Sequence, residues 1–218
     1  MTMMLSTAPI EKRAHLVVIL GIDGAGKTTQ ASYIAEWLKS AGYSVTLHPN
    51  EDILPAMTIL DEIAREAGYD DRRVLLGADV ARLVLIMLKW NMMIKARQAL
   101  GKEGHFVIMD RYSYCYIATA RHWHSGNDWL IQRLFDIFPE PDLSLLIDVP
   151  PAEAQQRIAA RGVERVELHY LEKLASAYKE LPQAASFTVV DGDRPRDDVR
   201  EEIRGYMRRK FPFLQSMP

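Results

Sequence analysis

The chain has 218 residues, enough for one sizeable core, and its 48% hydrophobic and 26% charged content is that of an ordinary folded protein. A formal charge of −2 leaves no global positive field to recruit a nucleic acid polymer. The single cysteine, Cys115, rules out an intramolecular disulfide and agrees with a reducing compartment.

Met1–Ile10 has no basic stretch followed by an apolar block, so residues 1–13 read as a flexible leader rather than a signal peptide. His15–Leu20 (HLVVIL) is a buried-strand pattern running straight into glycines, and Lys27–Ala41 reads as a helix stopped by Gly42. Ser44–Leu47 is a short strand, and Asp61–Ala67 and Val80–Leu100 carry helical apolar spacing. The longest apolar run, near Val80–Leu88, contains Arg82 and is too short to cross a bilayer, so no membrane is expected. His105–Met109 and Leu143–Val149 are further strands, with helices over Ala152–Ala160 and Leu168–Leu181, a last strand Ser186–Val190 and a last helix Asp197–Arg209. Five nearly continuous apolar strands separated by helices predict an α/β fold of three layers, with a five-stranded parallel sheet and helices on both faces. Such sheets place ligands at the carboxyl ends of their strands.

At the first of those ends, Gly21-Ile22-Asp23-Gly24-Ala25-Gly26-Lys27-Thr28 fits the pattern G-x-x-x-x-G-K-[ST], with a strand before it and a helix after it. Glycines let backbone N–H groups close on phosphate oxygens, and the helix adds its positive end. Lys27 then reaches the outer phosphates of ATP, and Thr28 holds Mg²⁺ through its hydroxyl. A turn that merely joined strand to helix would need neither residue at these offsets. At another strand end, Asp110-Arg111-Tyr112 supplies an acid that can orient a Mg²⁺ shell or an acceptor phosphate, and an arginine that can grip a phosphate.

From about His15 to Met207 the order of motifs resembles the thymidylate kinase family of nucleoside monophosphate kinases. The similarity rests on GIDGAGKTT at Gly21–Thr29, on Asp110–Tyr112, on PDLSLLIDVPPAEAQQRIAARG at Pro141–Gly162, and on VVDGDRPRDDV at Val189–Val199. It implies a P-loop kinase domain over 14–212 with a short lid near 160–168, and a C-terminal tail at 213–218. It implies ATP·Mg²⁺ and a nucleoside monophosphate as substrates, dTMP first among them, and a homodimer paired through helices such as Val80–Leu100. The absence of a signal-peptide pattern and of a membrane-length apolar run makes the cytoplasm the expected location. By the same resemblance Asp23 approaches the acceptor sugar, Arg111 holds the acceptor phosphate, and Arg157 lies over adenine near Asp191. Arg161 and Arg165 belong to the lid, where their charge would offset that of the transferring phosphate. Ala25 stands where some members carry an arginine, which places that duty on the lid.

The acceptor side departs from the family pattern. A segment resembling Arg-Glu-Pro-Gly-Gly is replaced by Leu47-His48-Pro49-Asn50-Glu51, which keeps only Pro49. Lys89, beside Leu85, stands for a base-reading arginine, and Thr119 for an aromatic ring below the sugar. Tyr112, Tyr114 and Tyr116 suit packing or base stacking, and Tyr116 is the one read as acceptor-side. Residues 121–126 read as a surface loop, and Cys115 as a small packed residue. A kinase for another nucleotide, nucleoside or small hydroxyl compound stays open, as does a protein that binds ATP with little turnover.

Overall fold

A computed structural model describes residues 14–50, 54–122, 128–162 and 166–215. The leader 1–13, Glu51, residues 123–126, Arg165 and residues 216–218 lie outside the described residues. Strand β1 (His15–Leu20) leads to α1 (Lys27–Ser40), then β2 (Val45–His48), α2 (Leu54–Glu66), α3 (Arg72–Leu76) and α4 (Ala78–Arg97). Next come β3 (Phe106–Asp110), α5 (Ser113–His122), α6 (Asp128–Phe135) and β4 (Leu143–Asp148). The chain closes with α7 (Pro151–Ala160), α8 (Leu168–Lys179), β5 (Thr188–Asp191) and α9 (Arg196–Lys210).

The five strands pair in parallel in the order β2-β3-β1-β4-β5. Leu16 through Leu20 of β1 and Phe106 through Ile108 of β3 are fully buried, so helices cover the sheet on both faces, as the continuous apolar runs predict. Each such leucine or isoleucine contributes about 1.5–3 kcal/mol relative to exposure. Helix α1 packs on β1, β2 and β3, α9 on β4 and β5, and the two helices touch. Arg200 and Arg204 of α9 lie 4.4 and 5.0 Å from the Tyr33 ring of α1.

The structure revises several boundaries. The helix expected over Asp61–Ala67 begins at Leu54, because Pro55 sits in its first turn, where no backbone N–H is needed. The helix expected to reach Leu100 stops at Arg97 and tightens into a 3₁₀ turn, Gln98–Gly101. The sequence reading carries no helix over Ser113–His122. Tyr114, Cys115, Ile117, Ala118 and Ala120 are all buried, so α5 shows no one-sided apolar stripe to reveal it. The tail expected at 213–218 is also corrected. Leu214 is fully buried, and the rings of Phe211 and Phe213 pack on His15 and Phe106, so the domain continues through Leu214. Among the described residues no helix is long and apolar enough to cross a membrane.

Candidate active site

The glycine loop between β1 and α1 is wedged against its neighbours. A Cβ on Gly21 would stand 2.6 Å from the Ile147 carbonyl oxygen, and one on Gly24 2.4 Å from that of Ala154. Gly24 also has φ +83°, a left-handed conformation that other residues adopt at a cost. No side chain caps the N-terminus of α1 at Gly26, which leaves its first amides for an anion. Lys27 is buried and donates to the Ile22 carbonyl at 2.7 Å, with Asp23 at 3.8 Å. Burial and the nearby Arg111 guanidinium lower the Lys27 ammonium to about 8.

From the end of β3, Asp110 accepts a hydrogen bond from the Thr28 hydroxyl at 2.5 Å. The other oxygen of its buried carboxylate, Oδ1, has no hydrogen-bond partner. A hydroxyl and a carboxylate with a spare buried oxygen are donors that suit a hard cation such as Mg²⁺. Arg111 follows with φ +80°, an uncommon conformation for a residue with a side chain, and one that clusters at functional sites. Its backbone N–H donates to Ile19, and its guanidinium pairs with Asp23. Burial alone would raise the Asp23 carboxyl, but Arg111 and Lys27 together hold it below the usual range. Burial opposes the Arg111 charge, yet Asp23 keeps the guanidinium firmly protonated.

Two cavities meet over the loop. The smaller, of about 100 Å³, brings together Asp23, Lys27, Thr28, Asp110, Arg111 and Arg161. Thr29 and Asn50 also border it. The larger, of about 500 Å³, opens toward β4 and β5, with Ala25, Thr29, Arg157, Arg161, Gly192 and Arg194 on its walls. Arg157 is braced on three sides, donating to Glu153 at 2.9 Å, to the Gly192 carbonyl at 3.0 Å and to Asp193 at 3.2 Å. Arg161, at the end of α7, borders both cavities.

Other expected site residues are placed differently. Asp191 does not border the large cavity. Its carboxylate accepts from the Asp193 N–H at 3.0 Å and lies 3.5 Å from Arg194, bracing the turn that carries Gly192. Thr119 donates to the Cys115 carbonyl of its own helix at 2.8 Å. Tyr116 is half-buried and stacks on Phe135, ring centres 5.4 Å apart. Tyr112 is buried and donates to the Pro139 carbonyl, so it belongs to the core with Tyr114. Pro49 is exposed, and buried Lys89 extends its ammonium to Asn50 Oδ1 at 2.9 Å.

Three residues that the sequence did not single out also stand here. Asn50 borders the small cavity, Gln30 the large one, and the Tyr178 hydroxyl donates to the Gly21 carbonyl at 3.3 Å. Gln30 follows Lys27 by three residues, an offset that could have signalled it. Tyr178 is distant in sequence and carried no signal.

A family model described as thymidylate kinase matches residues 19–203. A probable thymidylate kinase of Pyrococcus horikoshii is 34% identical over 193 residues, covering 78% of this chain and 86% of that protein. One of Archaeoglobus fulgidus is 34% identical over 203 residues, covering 87% and 92% respectively. A thymidylate kinase of Thermosipho africanus is 30% identical over 211 residues, covering 90% and 97%.

Proposed function

The chain belongs to the thymidylate kinase family, and from that premise we propose that it moves the γ-phosphoryl of ATP to dTMP, giving dTDP and ADP. The observation that carries this reading is the small cavity itself, where the phosphate loop and the Asp110–Arg111 strand end face one another. Phosphoryl transfer needs positioning and charge neutralisation more than a strong base, and that cavity offers both.

Each residue then has a place. Backbone amides of Gly24, Gly26 and the start of α1, with Ile22 and Gly21 shaping the turn, cradle the β- and γ-phosphates while Lys27 neutralises them. Thr28 and Asp110 would hold the Mg²⁺ that the nucleotide brings, which would supply positive charge beside the phosphates. The orphaned Asp110 oxygen supports that fit. Arg157 presents its braced guanidinium plane to adenine in the larger cavity. Arg111, held by Asp23, grips the acceptor phosphate, and Asp23 faces the acceptor sugar. Arg161, joined by Arg165, serves as the lid over 160–168 that stabilises charge on the transferring group.

We further propose one kinase domain from residue 14 through Leu214, working in the cytoplasm where ATP and dTMP are found. Homodimer pairing through α4 is supported by exposed Val80 and Met87 on that helix; a solution mass of one chain would contradict it. An ADP-release assay with ATP·Mg²⁺ and each common monophosphate, with Lys27→Ala as blank, tests the reaction. Turnover led by dTMP is expected. Turnover led by another monophosphate would move the specificity, and none at all would remove the kinase reading.

A further inference from the structure

We infer that Asn50 contacts the acceptor phosphate and that Lys89 orients it for that contact. The inference rests on reading the cleft as a nucleotide kinase site, and it adds a residue pair to that reading. Strand order divides the cleft about β1. The cavity walled by Arg157 and Gly192 lies on the β4 and β5 side, which leaves the β3 and β2 side for the acceptor. Asn50 stands two residues beyond β2, on that second side, and borders the small cavity with Arg111.

The partner of Asn50 fixes which way its amide points. Lys89 of α4 is buried, and its ammonium lies 2.9 Å from the Asn50 amide. An ammonium has donors only, so the atom facing it is the carbonyl oxygen, and the NH₂ group turns away from it. A buried cation one hydrogen bond behind the amide also polarises it and strengthens its N–H donors. In the same cavity the Asp23 charge is taken up by Arg111, while Asp110 receives Thr28 on one oxygen and keeps the other for a cation. An incoming phosphate dianion therefore meets an amide donor whose acceptor end is already occupied. In this arrangement Lys89 acts through Asn50 as a positioning residue.

The test measures binding of dTMP and of thymidine, which lacks the phosphate, to the wild type and to Asn50→Ala, Asn50→Asp, Lys89→Met and Lys89→Arg, together with steady-state KM and kcat. Asn50→Ala should weaken dTMP about tenfold to hundredfold, the loss of one hydrogen bond to a charged group. Thymidine affinity and the KM for ATP should hold. Asn50→Asp should weaken dTMP further, Lys89→Met should reproduce the dTMP-selective loss, and Lys89→Arg should restore most of it. A dTMP affinity for Asn50→Ala within about twofold of wild type would overturn the inference. So would equal weakening of dTMP and thymidine, which marks a structural role. Wild-type protein that binds dTMP but does not phosphorylate it would remove the kinase reading and leave the binding comparison to decide on Asn50; wild-type protein that does not bind dTMP would overturn both.

Discussion

Replacing Lys27 with methionine should make the protein more stable and unable to use ATP. The ammonium is buried against the Ile22 carbonyl, and its pKa falls from the ordinary 10.5 to about 8. At about 1.4 kcal/mol per pKa unit, keeping that charge costs the fold about 3 kcal/mol at neutral pH. Because the folded pKa is the lower one, the unfolded chain binds the proton more tightly. Stability therefore rises with pH between about 8 and 10.5. Methionine removes the burdened charge and keeps most of the side-chain volume, but it leaves the Ile22 carbonyl without this donor. The net gain at pH 7 should be about 2 kcal/mol, shrinking toward pH 10. Urea unfolding of both proteins at pH 7 and pH 10 measures it. The same ammonium must be charged to hold phosphate, so wild-type ATP affinity should fall about tenfold from pH 8 to 9.5, with the profile flat in Lys27→Arg. Asp23→Asn should move the midpoint down and Arg111→Ala should move it up, since Asp23 raises the Lys27 pKa and Arg111 lowers it. A methionine variant less stable than wild type at pH 7, or a flat wild-type affinity profile, would refute the reasoning.

Three other outcomes are expected. Gly24→Ala puts a methyl 2.4 Å from the Ala154 carbonyl oxygen at φ +83°, so it should lose about 2 kcal/mol or more in urea unfolding and most ATP affinity. Arg157→Ala should raise the KM for ATP about tenfold while leaving inhibition by inorganic tripolyphosphate, which lacks the base, unchanged. His105 is buried between Ser44 and Thr46, and burial with Lys102 lowers its pKa below the usual 6.5. Stability should therefore drop as pH falls below about 6.5, and His105→Gln should flatten that slope in thermal melts from pH 7.5 to 5.

The parts of this molecule that were legible in the sequence are those fixed by short-range chemistry. A central parallel strand is buried on both faces, so His15–Leu20 and Leu143–Asp148 announce themselves as nearly continuous apolar runs. The loop before α1 needs glycines for contact with Ile147 and Ala154 as well as for phosphate, which makes its spacing hard to mistake. What escaped depends on tertiary partners. Helix α5 is buried almost all round, so its residues show no stripe. Asp191 looks like a cavity residue at a strand end, but its oxygens serve the Asp193 amide and Arg194. Thr119 spends its hydroxyl on its own helix. Lys89 reaches the cleft through Asn50, a link between residues 39 positions apart that no local pattern reveals.

The most direct test of the central claim is a single-turnover reaction of the protein with γ-labelled ATP, Mg²⁺ and dTMP, resolved into its nucleotides. The account predicts that the label appears on dTDP, and that Lys27→Ala leaves it on ATP. Label released only as inorganic phosphate, or retained on ATP in the wild type, would contradict it.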